Sequence, residues 1–158
     1  MTGESRMIFL VSDTHFNHPS IISFAGRPFN SCEEMNNKLI DRWNQVVSQQ
    51  DTVIHLGDFG FGRRQNEEIR EQLNGVVILL KGSHDSANYR GIINVRRRII
   101  YEDLVMTHCP LYEQTPEGFR NVHGHLHQKF NPLGINICVE HTNYYPIPLD
   151  DVLSGKFR

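Results

Sequence analysis

The sequence has no long apolar run, no large excess of one charge and too few cysteines for a disulfide-stabilised scaffold. Its 158 residues include 16 lysines and arginines against 18 aspartates and glutamates, and the formal net charge of -2 argues against an electrostatic trap for nucleic acid. The three cysteines, Cys32, Cys109 and Cys138, cannot all pair, so we expect reduced thiols in a cytoplasmic protein. The apolar run near the N-terminus stops at Asp13, too short to span a membrane, and no membrane partner is expected.

The length limits the architecture. A chain of 158 residues can form one domain with a sizeable core, and it is too short for two ordinary domains. We therefore expect a single domain over residues 1–158, with little room for an added cap. The sequence shows no internal repeat, low-complexity tract or linker that would divide it.

Short apolar runs alternate with helical patterns through the first half of the chain. The runs predict buried strands over residues 7–12, 52–56 and 76–81. Between them, apolar residues at helical spacing predict a helix over 31–49, and a polar stretch ended by Asn-Gly predicts another over 63–73. Strands that alternate with helices in this way pair in parallel through right-handed crossovers.

The second half has a different character. Its apolar segments are shorter and are joined by turns, at residues 95–101, 103–107, 119–124 and 134–140. Segments of this kind predict a second sheet packed on the first, with helices outside. Open α/β sheets bind ligands at the carboxyl ends of their strands, so we expect the functional site at that edge.

Residues that commonly bind metals follow these apolar runs in an ordered series. They are Asp13, His15, Asp58, His84, Asp85, His108, His125 and His127. Side chains at strand ends lie on a fixed rim, and several strands that end together would collect these groups into one cluster. Carboxylates mixed with imidazoles suit divalent transition metals better than calcium. Two such ions about 3.5–4 Å apart can hold a phosphate and a water between them, which predicts a metal-dependent phosphoesterase.

The spacing within two of these motifs also has a local meaning. Asp13 and His15 are two residues apart, as are His125 and His127, and in extended segments each pair would face one side. The alternative is a polar turn in which Asp13 binds a nearby backbone N–H. His123 is in phase with the second pair, and we expect it either behind the metal ligands or in the wall of the pocket.

Together the motifs resemble the calcineurin-like metallophosphoesterase family, whose signature reads D-x-H, G-D, G-N-H-[DE], a lone His and G-H-x-H. In this chain the signature stands as Asp13-Thr14-His15, Gly57-Asp58, Gly82-Ser83-His84-Asp85, His108 and Gly124-His125-Leu126-His127. Any one motif is weak, but five in order are specific, and they span roughly residues 7 to 127. The words SDTHFNH, RPF and HLGDFGFG are similar to a small, capless bacterial and phage branch. One position departs from the signature, because Ser83 stands where the family has Asn.

The resemblance implies an α/β fold. The expected architecture is a layered sandwich of two mixed β-sheets flanked by helices, with the metal site on the loop rim at the strand ends. This agrees with the two sheets and the site position that the apolar runs predict independently.

The resemblance also implies two divalent metal ions, with manganese expected first and iron, zinc or nickel as alternatives. The first ion would be bound by Asp13, His15, Asp58 and His127. The second would share Asp58 and would also be bound by Ser83 or a water in its place, His108 and His125. A serine hydroxyl is shorter than the amide of asparagine and a poorer donor to a cation, so the second ion is expected to bind more weakly.

Catalysis in the family implies roles for two further residues. A hydroxide that bridges the metals would attack phosphorus in line, opposite the leaving oxygen. His84 would lie close to the metals without binding them and would protonate the leaving oxygen as a general acid. Asp85 would hold the other ring nitrogen of His84 and raise the pKa of its ring.

An open site without a cap favours small phosphate monoesters, diesters or nucleotides as substrates. Guanidinium groups match phosphate, so Arg27 and Arg120 are candidates to hold it, although most surface arginines are simply solvated. His18 and His123 are candidates to line the pocket. His55 and His141 are expected to be non-ligands.

Two other functions compete with this hypothesis. A catalytically weakened member of the family could serve as a binding scaffold, and Ser83 keeps that alternative open, whereas the intact His84-Asp85 pair argues against it. A nuclease acting on nucleic-acid ends is the third hypothesis, which the balanced charge disfavours. Metal content and hydrolysis of bis-p-nitrophenyl phosphate would discriminate between an enzyme and a scaffold.

Overall fold

Two β-sheets form the framework of the protein. The computed structural model describes residues 5–85, 88–95 and 97–158, and within these residues a five-stranded and a four-stranded sheet are present. Each sheet contains both parallel and antiparallel pairs. The predicted α/β fold with two mixed sheets is therefore confirmed.

The first sheet is built mainly from apolar runs of the first half of the chain. Its parallel strands are β1 (Ile8–Val11), β2 (Thr52–His55), β3 (Val76–Leu80) and β4 (Ile92–Val95), in the spatial order β4-β3-β2-β1. A fifth strand, β9 (Ile147–Pro148), pairs antiparallel with β1 at the edge. The carboxyl ends of the four parallel strands consequently lie at one edge of this sheet.

The second sheet comes from the second half of the chain. Its strands are β5 (Ile99–Tyr101), β6 (Leu104–Thr107), β7 (Arg120–His123) and β8 (Ile135–Asn136), in sequence order across the sheet. The β5 strand is antiparallel to β6, whereas β6, β7 and β8 are mutually parallel. This sheet therefore also has an edge at which several carboxyl ends meet.

The helices connect the strands of the first sheet or follow the last of them. They are α1 (Ser20–Phe24), α2 (Cys32–Val46), α3 (Arg63–Arg70) and α4 (Leu149–Leu153). Ser31 caps the N-terminus of α2, because its hydroxyl accepts a hydrogen bond from the Glu34 N–H at 3.1 Å. Within the described parts of the chain, the helices are too short or too polar to cross a bilayer.

Several short elements were not predicted from the sequence. The α1 helix has five residues and β9 has two, too few for a periodic pattern to be visible. The predicted strand over 95–101 is two strands, since β4 ends at Val95 and β5 begins at Ile99, and Arg96 lies outside the described residues.

The apolar core has two parts, one on each face of the first sheet. On one face, the strands pack against the buried stripe of α2, formed by Met35, Leu39 and Trp43. On the other face, Leu10 of β1 belongs to a cluster with Met106 of β6, which joins the two sheets. Burial of these side chains supplies the main stabilisation of the layers.

The two sheets meet again at the rim where β1 and β8 end. Ser12, just after β1, forms a bridge with Cys138, and its carbonyl accepts a hydrogen bond from the Val139 N–H at 3.1 Å. The Gly124 N–H, after β7, donates to the His108 carbonyl at 2.9 Å. These contacts bring loops from both sheets to one rim.

Candidate metal centre

The loops at this rim carry all the sequence-predicted metal ligands. Asp13 and His15 follow β1, Asp58 follows β2, Ser83 follows β3, His108 follows β6, and His125 and His127 follow β7. The structure brings these seven side chains together in one cluster, as the distances below show.

The backbone at five of these positions has a left-handed conformation. The φ angles are 57° at Asp13, 50° at His15, 56° at Asp58, 69° at His125 and 50° at His127. The expectation that each pair of ligands lies on an extended segment is therefore wrong. A residue other than glycine in this region costs roughly 1–2 kcal/mol, because Cβ approaches the following carbonyl oxygen. Backbone strain at five residues that lie close together in space is typical of a functional cluster that the surrounding fold holds in place.

The Asp13 carboxylate is fully buried and divides its contacts between two directions. Its Oδ2 accepts hydrogen bonds from the Ser12 hydroxyl at 2.5 Å, the His125 N–H at 2.9 Å and the Cys138 thiol at 3.3 Å. Its Oδ1 lies 3.6 Å from Nε2 of His15. Among the described residues, neither Oδ1 of Asp13 nor Nε2 of His15 has a hydrogen-bond partner, although both atoms are buried.

Asp58 lies between two groups of imidazoles. Its Oδ1 accepts a hydrogen bond from the His84 N–H at 2.8 Å. Its Oδ2 is 3.5 Å from Nε2 of His15 and 3.4 Å from Nε2 of His108. One carboxylate oxygen thus faces ligand-type nitrogens from both sheets, which is the geometry expected of a bridging ligand.

His108, Ser83 and His125 form the group on the far side of Asp58. Nδ1 of His108 donates to the Leu56 carbonyl at 2.9 Å, which leaves Nε2 to face the cluster. The Ser83 hydroxyl is 3.4 Å from that Nε2. The His125 ring packs edge-on against the His108 ring with centroids 5.1 Å apart.

Glycines allow the loops of this cluster to approach closely. Gly57 has a φ of 110°, and a Cβ there would come within 2.7 Å of the Gly82 backbone. At Gly124 a Cβ would overlap the Ser12 hydroxyl and Oδ2 of Asp13. The glycines of the G-D and G-H-x-H motifs are therefore required by the packing of the ligand loops.

Burial and the charges within the cluster shift the pKa values of His108 and Asp13 away from their ordinary values. Burial opposes the charged form of His108, but the carboxylates of Asp58 and Asp13 raise its pKa to about 9. Burial also opposes ionisation of Asp13, yet His15, His108 and the Ser12 hydroxyl hold the pKa of its carboxyl below its usual range. A cation that binds beside His108 must displace its proton, so metal binding is expected to release protons.

These residues fit divalent transition metals. Three groups of residues each offer three donor atoms that lie within 4.8 Å of one another. They are Asp13–His15–Asp58, Asp13–His127–Cys138 and His108–Cys109–His125. Two of the groups share Asp13 and the third lies on the His108 side of Asp58. Buried atoms without partners next to carboxylates and imidazoles are the donors that an ion would satisfy.

Asp85 does not occupy the predicted position beside the His84 ring. Its carboxylate accepts three backbone N–H bonds, from Asp58 at 2.7 Å, Gly82 at 2.8 Å and Phe59 at 3.0 Å. Burial raises the pKa of Asp85, and the three N–H groups oppose that rise. Among the described residues the carboxylate bonds to these three N–H groups and not to the His84 ring, so the prediction that Asp85 holds that ring is wrong. Asp85 instead ties the loop after β2 to the loop after β3.

The remaining predicted histidines have different environments. The exposed His84 ring lies 5.6 Å from the His15 ring, at the mouth of the cluster. Nδ1 of His18 is 3.1 Å from Nδ1 of His15, and its ring packs against Phe61. His123 is fully buried, with its nitrogens bonded to the Gly124 carbonyl and to Asn131, so the structure does not place it in the pocket wall.

Neither predicted arginine faces the cluster opening. The Arg27 guanidinium is fully buried and donates to the carbonyls of Asp13 and Thr14 at 2.7 Å and 2.8 Å. Arg120 begins β7, at the end opposite to the cluster, and donates to both carboxylate oxygens of Asp103 and to the carbonyls of Val152 and Leu153. Their predicted contact with substrate phosphate is corrected, because internal acceptors use both guanidinium groups.

A cavity of about 470 Å³ opens beside the cluster. Its lining consists of Phe24, Asp58, His84, His125, Leu126, His127, Gln128 and Lys129. The exposed Lys129 was not predicted, because a single lysine two residues after a motif carries no signal in the sequence. Its ammonium group is suited to an anion in this cavity.

The chain is similar to known proteins in sequence and in fold. The sequence profile of the calcineurin-like phosphoesterases matches residues 7–154. The chain is 37% identical over 161 residues to the uncharacterized protein MJ1445 of Methanocaldococcus jannaschii, an alignment that covers 92% of this chain and 88% of that protein. The crystal structure of AQ665 from Aquifex aeolicus, a protein of unknown function, superimposes with a TM-score of 0.71, covering 95% of this chain and 99% of that chain. The superposition shows a shared fold, and at a sequence identity of 23% it shows the fold alone.

Proposed function

This chain belongs to the calcineurin-like phosphoesterase family, and from that premise we propose that it is a hydrolase of phosphate esters that depends on two divalent metal ions. The observation that carries the proposal is the pair of buried, unpartnered atoms, Oδ1 of Asp13 and Nε2 of His15, beside a carboxylate that faces both groups of imidazoles. Burying a polar atom without a partner costs folding free energy, and a bound cation would supply the missing partner for both atoms.

The proposed ligand sets follow from the two groups around Asp58. Asp13, His15 and His127 would hold the first ion, whereas His108, His125 and Ser83 or a water in its place would hold the second. Asp58 would belong to both sets. Divalent cations would supply the positive charge that binds the phosphate and the acidity that makes a water nucleophilic.

His84 is proposed as the general acid that protonates the leaving oxygen. Its backbone N–H is fixed by Oδ1 of Asp58, so the residue is anchored to the centre. Its ring is exposed at the cavity and lies close to the His15 ring, where a phosphate held at the cluster would come within its reach.

The proposal is tested by measuring metal content and hydrolysis of bis-p-nitrophenyl phosphate with added manganese, alongside iron, zinc and nickel. We expect two ions per chain and turnover that is lost on chelation and restored by metal. Two bound ions without hydrolysis of any monoester, diester or nucleotide would support the scaffold alternative. Hydrolysis confined to single-stranded nucleic-acid ends would support the nuclease alternative.

Lys129 is expected to contribute to substrate binding in place of the two arginines. We expect Lys129→Ala to raise KM for bis-p-nitrophenyl phosphate about tenfold with kcat nearly unchanged, because a uniform contact to the phosphate is lost. Steady-state kinetics at saturating manganese measures this. Lys156→Ala is the matched control, since Lys156 pairs with Asp151 outside the cavity lining. A fall in kcat at constant KM would contradict a simple binding role.

Ser83 is expected to limit the second metal site. Ser83→Asn should tighten that site and raise activity at limiting manganese, because the amide oxygen reaches further and is the better neutral donor. The effect should be small at saturating manganese, where mass action fills a weak site. Titration of manganese into the metal-free protein and the variant, with binding and turnover followed together, measures both parts.

Two results would change the interpretation of Ser83. If the unmutated protein already binds two ions equally tightly and turns over as fast, the serine is a competent ligand or the position is not a ligand. If the variant gains a second ion but hydrolyses no ester, a scaffold function would replace the enzyme function.

A further inference from the structure

Glu140 was not identified from the sequence, yet its carboxylate contacts the ring of His127, one of the candidate metal ligands. Its buried carboxylate oxygen Oε1 lies 3.1 Å from Nδ1 of His127. The same oxygen accepts a hydrogen bond from Nε of Arg27 at 2.9 Å and lies 2.8 Å from Nη2 of that guanidinium. We propose that Glu140, held by Arg27, is the positioning residue that aims Nε2 of His127 at the metal cluster. This inference rests on the proposed metal-dependent function.

The contact determines which nitrogen of His127 is free. A carboxylate only accepts hydrogen bonds, so Nδ1 of His127 must carry the proton that it donates to Glu140. In the neutral ring, which is the form that binds a metal, Nε2 then carries the lone pair, and it lies 3.9 Å from Oδ1 of Asp13. A carboxylate on the remote nitrogen of a ligand histidine fixes both its tautomer and its ring orientation.

The main chain of His127 is held as well as its ring. Its carbonyl accepts hydrogen bonds from Nε2 of His141 at 2.6 Å and from Nδ2 of Asn136 at 3.0 Å. Because the backbone already has a left-handed φ of 50°, these contacts keep it in a conformation that is costly by itself. Glu140 therefore controls the orientation of the ring on a backbone that other residues fix.

Arg27 joins this arrangement to the first metal-binding loop. Its guanidinium donates both to Glu140 and to the carbonyls of Asp13 and Thr14. One buried cation thus links the loop after β1 with the segment that orients His127. A buried carboxylate is costly without a paired cation, so Arg27 is what allows Glu140 to lie here with its charge.

For His15 and His108, the carboxylate neighbours lie on the Nε2 side, and no carboxylate among the described residues contacts Nδ1. Nδ1 of His108 bonds to a backbone carbonyl, and Nδ1 of His15 faces His18. A hydrogen bond to a carboxylate is stronger than one to a neutral acceptor. We therefore expect the first metal position, which contains His127, to depend on Glu140 more than the second position does.

Glu140→Ala and Glu140→Gln test the inference through metal binding. Calorimetric titration of manganese into the metal-free variants should show one site weakened about 10–100-fold and the other unchanged, the range for loss of a contact behind a ligand. Glu117→Gln, at an exposed position, is the matched control and should titrate like the unmutated protein. Equal manganese affinity in both Glu140 variants and the unmutated protein would overturn the inference.

Histidine tautomers provide a second readout that needs neither metal nor substrate. Long-range proton–nitrogen correlation NMR of the metal-free protein should show His127 protonated on Nδ1, with its signals identified by their loss in His127→Gln. In Glu140→Ala the ring should populate both tautomers, whereas an unchanged Nδ1 tautomer would overturn the inference.

Folding of the variants is checked by circular dichroism and thermal melting without metal. If Glu140→Ala does not fold, the isosteric Glu140→Gln decides, and wild-type manganese affinity in that variant overturns the inference. Loss of folding in both variants would assign Glu140 a purely structural role and would also overturn it. Metal affinity and the tautomer are read without ester hydrolysis, so an inactive but correctly loaded protein would refute the proposed enzyme function alone.

Discussion

Asp58→Asn is expected to reduce phosphate-ester hydrolysis to the background rate and to lower bound metal from two ions toward one or none. Oδ2 of Asp58 faces Nε2 of both His15 and His108, at 3.5 Å and 3.4 Å. A carboxylate in this position shares its negative charge between two neighbouring cations and reduces their mutual repulsion. A neutral amide of the same shape does not, so the pair of ions should no longer be held.

Metal content after gel filtration and turnover of bis-p-nitrophenyl phosphate measure this result. Asp41→Asn, an exposed change of the same chemistry on α2, is the control and should retain both properties. Circular dichroism is used to check that the Asp58→Asn protein is folded. Two tightly bound ions together with near-normal hydrolysis in the variant would refute the bridging assignment.

His84→Ala is expected to lower kcat by about 10²–10⁴, the range for loss of a general acid, while the metal content stays close to normal. The ring is exposed, and the contact of this residue with Asp58 is made by its backbone N–H, which alanine retains. The variant should therefore keep its fold and its metal ligands and lose only the proton donor.

The size of this loss should depend on the leaving group. A p-nitrophenolate needs little protonation when it departs, so its diester should be affected less than a diester with an alkyl leaving group. Comparing the two substrates for the variant and the unmutated protein separates acid catalysis from a general disturbance. Loss of metal together with activity would instead make His84 a ligand, and equal losses on both substrates would contradict its role as acid.

The sequence by itself determined the kind of fold and the edge at which the candidate metal ligands come together. Short apolar runs that each end at a polar motif predict strands, and strands alternating with helices predict a parallel arrangement in which those ends share an edge. The structure has this arrangement in two mixed sheets, and it brings Asp13, Asp58 and His108 from three different strand ends into one cluster. Residue type and order were sufficient because a strand end fixes the position of the residue that follows it.

Only the tertiary structure decided which partner each polar side chain has. Asp85 was expected at the His84 ring, and it binds three backbone N–H groups instead. Arg27 was a candidate to hold substrate phosphate, and it is buried behind the Asp13 loop. In both cases the residue type was compatible with either role, so its chemistry alone did not distinguish them.

The physical reason is that hydrogen-bond partners of buried groups come from distant parts of the chain. Arg27 and Glu140 are separated by 113 positions, and Asp13 and His125 by 112. Periodicity in the sequence reports burial along one segment, but it contains no information on which distant segment supplies the acceptor. Burial requires that a partner exist, and the packing of the two sheets selects which one it is.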